Sequence, residues 1–299
     1  MTVAVAGLPE RRLTRRAGPG PMGSMVAVSI DGVVVAPERA VISVFDRGLL
    51  YGDGCFEVMR TWGGVARDLD AHLDRLFETA AALELATTGR TPLTEAVYRT
   101  IAAGGPGEHR QRIVLTRGAG ALTARLGELP AGAAIVIADA LPAQPQELAL
   151  AVVDWPLPRR PGPGHKTLAY LDHIIAGELA RAQGADDALR LDEDGHAVEC
   201  ATSNLFAVIS GTVVTPPADR GVLPGIVRAR VLALCAAARI PTQLRALTLR
   251  EVRSADELFV TSSLRGVVPV TRLDGRPRAS GPITAQLAAA YAGAMRAAF

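Results

Sequence analysis

Lys166 is the residue whose type and setting most clearly suit covalent chemistry. It lies in the stretch HKTLAY and is the only lysine among 299 residues, because every other one of the 32 cationic side chains is an arginine. Arginine cannot replace lysine where an amine must lose its proton and attack a carbonyl, since the guanidinium stays protonated. Schiff-base formation is the commonest such demand. A lysine that has survived by chance on the surface is the alternative, and composition alone leaves both open.

Two other motifs contain groups that could bind an anion. Arg75 follows His72 by three residues in HLDRL, so both lie on one face of a predicted helix, and a guanidinium can hold a phosphate through two hydrogen bonds. The stretch GVLPGIVR predicts a helix that begins after Gly225, where the amides of Ile226 and Val227 would favour an anion. A solvated arginine and an ordinary Pro-Gly helix start are the alternatives.

Composition narrows the class of protein. Hydrophobic residues make up 49%, charged residues 21%, and the net charge is +2, which is typical of a soluble globular protein and favours neither a nucleic-acid nor a membrane partner. The three cysteines have no metal-ligand or disulfide spacing, so we expect no metal site and a reducing, cytoplasmic setting. Residues 1–24 combine arginines with Gly-Pro repeats and predict a disordered extension. A misassigned start site is the alternative, because Met22 and Met25 lie directly before the first periodic segment.

The first part of the chain predicts a small α+β domain over residues 25–145. Asp31-Gly32 indicates a hairpin, and an apolar strand from residue 40 is expected to enter a glycine-rich loop that returns through Phe56. Helices are predicted at 69–85, with Asp70 as N-cap, and near 94–103, and strands at 112–116 and 134–138.

The second part predicts a larger domain over residues 146–299. Six prolines between residues 140 and 164 exclude a continuous helix there and place the domain boundary near the start of that stretch. Strands and helices alternate irregularly after it, with helices expected at 168–183, from 226 to about 238, and from 284. Helices and strands in both parts indicate the α+β fold class.

The order of the motifs resembles that of the class IV aminotransferases, the pyridoxal-phosphate enzymes of fold type IV. This group includes branched-chain and D-amino-acid aminotransferases, (R)-selective amine transaminases and aminodeoxychorismate lyase. The resemblance rests on linked motifs in the family's order: DRGLLYGDGCFEVMR, HLDRL, KTLAYL, VECATSNLF, GVLPGIVR and TSSLRGVVPV. It implies a small N-terminal and a larger C-terminal α/β domain with the cofactor between them, and a homodimer.

The resemblance also implies roles for individual residues. Lys166 would form the Schiff base with pyridoxal 5′-phosphate and then move the proton between the substrate and the cofactor. Glu199 matches a glutamate that keeps the pyridine nitrogen protonated, with a solvated strand carboxylate as the alternative. Tyr170 matches a tyrosine that bonds the 3′-oxygen, or else packs as an ordinary aromatic. The other implied cofactor-binding residues are Arg75, Ser203, Asn204, Ile226, Val227, Ser262 and Ser263.

Substrate choice stays open at this level. The expected substrate-binding residues are Tyr51, Phe56, Glu57, Arg117, Arg125 and Leu264. D-amino-acid aminotransferases continue from TRG to an Arg-x-His pair that is missing here, and the signature of branched-chain enzymes is not visible on that strand either. Aromatic and apolar residues near the motifs favour small or medium apolar side chains, and the preferred handedness is undetermined.

We therefore predict an aminotransferase that moves an amino group between an amino acid or amine and a 2-oxo acid. A lyase of the aminodeoxychorismate type is the alternative, although Glu57 and Val58 follow GDGCF, where that lyase is understood to use a threonine to protonate its leaving group. LTRGAG near Arg117 does resemble the lyase. A non-catalytic scaffold of the same fold is a remote alternative, since it would be expected to have lost Lys166 or Glu199.

Overall fold

The computed structural model describes residues 26–121, 123–125, 128–129, 131–157 and 164–297. The predicted extension at residues 1–24 lies outside the described residues. Helices and strands occur in both parts of the chain, which confirms the predicted α+β fold class. No described helix is both long and apolar enough to cross a membrane.

The first part of the chain forms an antiparallel sheet covered by two helices. Its strands are β1 (Ala27–Ile30), β2 (Val33–Val35), β3 (Gly54–Trp62), β4 (Val65–Ala66), β5 (His109–Thr116) and β6 (Ala134–Ala140), in the order β2-β1-β6-β5-β3-β4. Its α-helices are α1 (Arg47–Tyr51), α2 (Leu69–Ala82) and α3 (Arg90–Ala103). Leu73, Leu76, Val97 and Ile113 form part of the buried core between α2, α3 and the sheet. The strongly apolar face of α2 thereby fixes the position of Arg75.

The second part forms a larger mixed sheet. Its strands are β7 (Leu148–Val152), β8 (Asp187–Leu191), β9 (His196–Cys200), β10 (Asn204–Ile209), β11 (Thr212–Thr215), β12 (Thr242–Leu244), β13 (Leu247–Thr248), β14 (Glu257–Ser262), β15 (Gly266–Leu273) and β16 (Arg276–Pro277). The order is β12-β11-β10-β14-β15-β7-β8-β9-β13, β16 pairs with β15, and a further bridge joins β10 to β9. The helices are α4 (Leu171–Ala182), α5 (Ile226–Ala237), α6 (Leu249–Ser254) and α7 (Pro282–Arg296). The two sheets are connected by residues 141–147, where the predicted domain boundary lies.

Two predicted features of the first part differ from the structure. Residues 40–45 form no strand, and Val41, Val44 and Phe45 are exposed instead of paired. The loop after them contains α1, whose N-cap Asp46 accepts a hydrogen bond from the amide of Gly48 at 2.7 Å. Helix α2 begins directly after Asp68, so Asp70 lies in its first turn and is not the N-cap.

Close backbone contacts join the two sheets beside Lys166. The amide of Phe56 donates to the carbonyl of Lys166 at 2.9 Å, and the amide of Leu168 donates to the carbonyl of Gly54 at 2.9 Å. A Cβ at Gly54 would lie 2.3 Å from the carbonyl oxygen of Leu115, so only glycine fits there. The lysine segment is thus fixed against β3.

Candidate active site

A cavity of about 680 Å³ lies between the two sheets, a size typical of small-molecule sites. It is lined by most of the predicted cofactor-binding residues: Arg75, Lys166, Tyr170, Glu199, Ser203, Asn204, Ile226, Val227, Ser262 and Ser263. Phe56 and Leu264, predicted to contact substrate, also line it. The sequence motifs therefore converge on one cavity.

Lys166 presents its amine to the cavity between two aromatic rings. Its Nζ lies 4.7 Å from the ring centre of Phe56 and 5.5 Å from that of Tyr170. Burial lowers the pKa of the amine to about 8, although the charges of Glu57 and Glu199 act in the opposite direction. At neutral to mildly alkaline pH a substantial fraction of this lysine is a neutral nucleophile.

Glu199 offers a free carboxylate oxygen in the same cavity. Its Oε2 accepts from the amide of Leu223 at 3.0 Å and from Nδ2 of Asn204 at 3.2 Å. No hydrogen bond of a described residue engages Oε1. Burial raises the pKa of Glu199 to about 7, against the lowering effects of the Leu223 amide and the charge of Lys166. A cationic N–H donor placed at Oε1 would hold Glu199 in its ionised form.

The N-terminus of α5 has the geometry that could bind an anion. Gly225 is its N-cap and supplies no side-chain hydrogen bond, so the first amides of the helix have no side-chain acceptor there. A Cβ on Gly225 would lie 2.0 Å from Oδ1 of Asn204, so a larger residue here would displace the asparagine side chain that bonds Glu199. Ile226 and Val227 line the cavity at this point.

Arg75 extends from α2 to the same helix terminus. Its Nη1 donates to the carbonyl of Pro224 at 2.9 Å, while Nε and Nη2 donate to the two oxygens of Glu57, each at 2.7 Å. His72 Nδ1 lies 2.7 Å from the same carboxylate. The protein therefore uses three of the five N–H groups of Arg75, which leaves two for an anion.

Tyr170 closes another wall of the cavity. Its ring packs edge-on against Phe56, with centroids 5.3 Å apart, and stacks on His173 at 4.4 Å. Its hydroxyl donates to the carbonyl of Ala201 at 3.0 Å, and His173 Nδ1 lies 3.1 Å from that oxygen. Burial lowers the pKa of His173 to about 4, so this imidazole is neutral at physiological pH.

Four predicted substrate residues do not line the cavity. Tyr51 is exposed at the end of α1, and Arg125 is exposed in the segment after β5. Glu57 is fully buried and binds Arg75 and His72. Arg117 follows the end of β5, where its Nε donates to Asp53 and its terminal nitrogens donate to the carbonyls of Leu83 and Glu84. Its guanidinium is therefore held in the first part of the fold and not offered to a ligand.

Sequence reasoning missed four arginines that line the cavity: Arg110, Arg112, Arg190 and Arg265. Arg110 and Arg265 form ion pairs with Asp139 and Asp187, whereas no described acidic residue forms an ion pair with the other two. Arg112 lies on β5, and its guanidinium carbon is 4.0 Å from the ring centre of Phe56; no hydrogen bond or ion pair of a described residue engages it. Arg190 lies on β8 and is completely buried. Arginine at an inward position of an apolar strand, as in ALRL, is the signal that could have revealed Arg190.

The donor set fits pyridoxal phosphate. Two arginine N–H groups and a helix terminus suit a phosphate, a free carboxylate oxygen suits a protonated pyridine nitrogen, and one amine suits an aldehyde. All three lie around one cavity. No residue type needed for this ligand is missing from the described lining.

Comparison with known proteins gives a consistent result. The family description of class IV aminotransferases matches residues 54–273. A protein of Methanocaldococcus jannaschii, provisionally named a branched-chain-amino-acid aminotransferase, is 34% identical over 257 residues, which cover 83% of this chain and 88% of that protein.

Two solved structures superpose on the chain. The branched-chain aminotransferase of Thermoproteus uzoniensis with norvaline has a TM-score of 0.83 at 29% identity, with 91% of this chain and 95% of that chain covered. The 4-amino-4-deoxychorismate lyase of Pseudomonas aeruginosa has a TM-score of 0.74 at 32% identity, with 87% and 96% covered. The fold is therefore shared by transaminases and by a lyase.

Proposed function

The chain belongs to the class IV aminotransferases, and from this membership we propose which residues do the work and on what substrates. The protein is a fold type IV enzyme that depends on pyridoxal 5′-phosphate and transfers amino groups between small molecules. When bound, the cofactor supplies an electrophilic carbon for the amine and an electron sink for the carbon that loses a proton.

The main support for this proposal is that three groups surround one cavity. They are Nζ of Lys166, the free oxygen of Glu199, and the N-terminus of α5 together with Arg75. Arg75, Ile226 and Val227 would bind the phosphate, with Ser262 and Ser263 on the adjacent loop. Glu199, positioned by Asn204, would hold the pyridine nitrogen protonated. Lys166 would bind the cofactor through its amine and, once released by the substrate amine, move a proton between the substrate carbon and the cofactor. Ser203 and Tyr170 would complete the walls of the cofactor pocket.

For the substrate we propose an amino acid with a small or medium apolar side chain and the matching 2-oxo acid. Apolar groups line the cavity beside the lysine, namely Phe56, Val58, Ile137, Leu157 and Leu264. Arg112 is a lining cation that can hold a substrate carboxylate, because no described acidic residue forms an ion pair with it. The branched-chain enzymes among the similar proteins support the same class.

We further propose that the enzyme acts as a homodimer in the cytoplasm. Exposed apolar residues cluster around α1 and the start of α4: Val41, Val44, Phe45, Leu49, Leu171 and Ile174. Gly52 contacts the backbone of Ala169, which brings these two stretches together. A patch of this kind is typical of a protein interface. All three cysteines are buried and unpaired, which favours a reducing compartment.

The test is the visible absorption spectrum of the purified protein, with L-amino acids, D-amino acids and amines added in turn. Loss of the band with an apolar amino acid, and its return with a 2-oxo acid, would support transamination and identify the handedness. The unique lysine gives a second readout: borohydride reduction should attach the cofactor at Lys166 and block the single cut by a lysine-specific protease in the unfolded chain.

A lyase reaction is the second candidate, because a lyase superposes on the chain. Release of pyruvate or an aromatic amine without formation of the pyridoxamine form would favour it. Turnover only of acidic or cationic amino acids would contradict the proposed apolar substrate class.

A further inference from the structure

One wall of the cavity is formed by the first sheet, on the face that α2 and α3 do not cover. Ile113 of β5 packs into the core under these helices, so the alternate residues Arg110 and Arg112 lie on the opposite face. Strand register arranges this face in rows across β3, β5 and β6: Phe56 with Val114 and Ile135, Val58 with Arg112 and Ile137, and Arg60 with Arg110 and Asp139. The first row contains Phe56, whose ring centre is 4.7 Å from Nζ of Lys166, and the other two rows follow along the strands.

The third row contains an arginine and an aspartate that are paired with each other. Nε of Arg110 donates to Oδ1 of Asp139 at 3.0 Å, and Nη2 donates to Oδ2, so the pair is two-pronged. Both residues line the cavity, and their side chains are 45% and 25% exposed, so a ligand in the cavity can reach both charges. Arg60, the remaining member of the row, lies over the ring of Trp62 and lines a separate pocket. At the cavity this row therefore presents one positive and one negative charge side by side.

The second row contains an arginine without such a partner. No described acidic residue forms an ion pair with Arg112, whose guanidinium carbon lies 4.0 Å from the ring centre of Phe56. Arg110 and Arg112 are two residues apart on one strand face, a separation of about 7 Å. That spacing is within reach of the two carboxylates of a five-carbon dicarboxylic acid. Two unpaired arginines here would therefore select dicarboxylic substrates, whereas the pairing of Arg110 with Asp139 leaves one carboxylate site, at Arg112.

We propose that Asp139 is a specificity-determining residue: by pairing with Arg110 it prevents this arginine from binding a second carboxylate, and so restricts the cavity to substrates that carry one. The inference deepens, and rests on, the apolar substrate class and the carboxylate-binding role of Arg112 proposed above. A distal carboxylate that approached Arg110 would also approach Asp139, and repulsion between the two anions would offset the attraction to the arginine. An apolar side chain meets a row without net charge and can pack on the methylene groups of Arg110.

The test measures the preference of the enzyme between two amino acceptors of the same shape. The acids 2-oxoglutarate and 5-methyl-2-oxohexanoate differ only at the far end, where a carboxylate in the first is replaced by an isopropyl group in the second. Neither acid is chiral, so the result does not depend on the handedness of the amino-acid substrate. The pyridoxamine form of each protein is mixed with each acid, and the ratio of kcat/KM for 2-oxoglutarate to kcat/KM for the apolar acid is compared between proteins.

Three variants separate the charge of Asp139 from the presence of Arg110. Asp139→Asn keeps an oxygen that can accept from Arg110 but removes the negative charge, and we expect it to raise the ratio about tenfold, the scale of one hydrogen bond to a charged group. Arg110→Met leaves Asp139 unpaired in the wall and should lower the ratio, and the double variant should lose the gain. Asp274→Asn is the matched control, because Asp274 belongs to a comparably exposed pair with Arg253 outside the described lining, and it should leave the ratio unchanged.

The same comparison is made for binding alone. The unreactive analogues are glutarate and 5-methylhexanoate, whose dissociation constants are measured by calorimetry. An Asp139→Asn variant that keeps the wild-type ratio in either measurement would overturn the inference. A gain that persists in the double variant would overturn it as well, because Arg110 would then not be the cause.

If Asp139→Asn does not fold, Arg110→Met decides: a lowered ratio supports the inference, and an unchanged or raised ratio overturns it. A wild type that converts neither oxo acid would instead contradict the proposed function, while the binding ratios would still test the inference. The two failures are therefore distinguishable.

Discussion

Glu57 and Arg75 form a two-pronged ion pair in which both side chains are buried, with two N···O distances of 2.7 Å. The pair joins strand β3 to helix α2 and holds Arg75 where its Nη1 donates to the carbonyl of Pro224, just before the start of α5. The hydrogen bonds from His72 and Arg75 outweigh burial and hold the pKa of Glu57 at about 2. The residue thus acts through the arginine and does not face the ligand.

The first prediction concerns the removal of this charge. Glu57→Gln leaves Arg75 buried without its counter-ion and should lower the free energy of unfolding by about 3 kcal/mol at pH 7. The stabilisation from Glu57 is present above its unfolded pKa of 4.5 and is lost as the pH falls toward the folded value of about 2. The difference between wild type and variant, measured by urea unfolding, should therefore shrink below pH 4.5. Glu95→Gln, an exposed residue paired with Arg99, should change stability little; equal effects of the two variants would contradict the argument.

The second prediction uses the unique lysine. In the cofactor-free protein the pKa of Lys166 is lowered from 10.5 to about 8, so the unfolded chain binds more protons than the folded one between these values. The stability of the wild type should therefore rise relative to Lys166→Met as the pH increases from 8 to 10.5. Because the side chain is half-buried, we expect a gain of about 1 kcal/mol and not the full value of the shift. Parallel stability curves for the two proteins over this pH range would show that the amine is not perturbed.

The third prediction separates the charge of Glu199 from its shape. Glu199→Gln can still accept from the Leu223 amide but cannot hold a protonated pyridine nitrogen, so kcat should fall by about 100-fold with a smaller change in KM. Burial raises the pKa of Glu199 to about 7, so its ionised form destabilises the cofactor-free fold increasingly as the pH rises from 4.5 through 7. The cofactor-free variant should consequently be at least as stable as the wild type above pH 7. Glu193→Gln, exposed in the turn between β8 and β9, is the control; a loss of stability without loss of kcat would contradict the assigned role.

The sequence predicted those parts of the site that depend on local chemistry. A unique lysine, a Pro-Gly helix start and an arginine on an amphipathic helix can each be interpreted in isolation, and the structure brings Lys166, Ile226 and Arg75 to one cavity. Arg112 and Arg117 show what the sequence could not predict. Both lie on or directly after β5, and only their contacts show that Arg112 faces the cavity beside Phe56 while Arg117 is bound to Asp53. Arg117 and Asp53 come together because β3 and β5 pair with Gly54 opposite Thr116. A single sequence does not reveal this strand register.

The apolar stretch at residues 40–45 shows a second limit. Its apolar and β-branched residues predict a strand, yet the structure leaves Val41 and Val44 exposed without a strand partner. A pattern of this kind indicates that an apolar surface must be covered, but it does not indicate whether the same chain or a second copy covers it. Within one chain the surface stays open, which is the basis of the proposed dimer.

The fourth prediction concerns the proposed substrate cation. Arg112→Met removes the free guanidinium beside Phe56 while keeping an apolar side chain over the ring. We expect KM for the amino acid and for the 2-oxo acid to rise between about 10-fold and 100-fold, the scale of one hydrogen bond to a charged group. The affinity for pyridoxal phosphate should be unchanged. Arg99→Met on the exposed face of α3 is the control, and an unaltered KM for both substrates would remove Arg112 from the binding site.

The last prediction tests the proposal that two copies of the chain form a dimer through the exposed apolar patch. The exposed fraction is 65% for Val44, 58% for Phe45 and 65% for Leu171, values that are unfavourable for apolar side chains in a single chain and ordinary in an interface. Phe45→Glu places a charge in this patch and should convert a dimer to a monomer, as measured by light scattering coupled to size-exclusion chromatography. Tyr98→Glu, on α3 outside the patch and 46% exposed, should leave the oligomeric state unchanged. Because the patch adjoins the lysine segment at Ala169, the monomer should also bind the cofactor more weakly. A wild type that is monomeric at micromolar concentration, or a Phe45→Glu variant that remains dimeric, would show that another surface, or none, joins two copies.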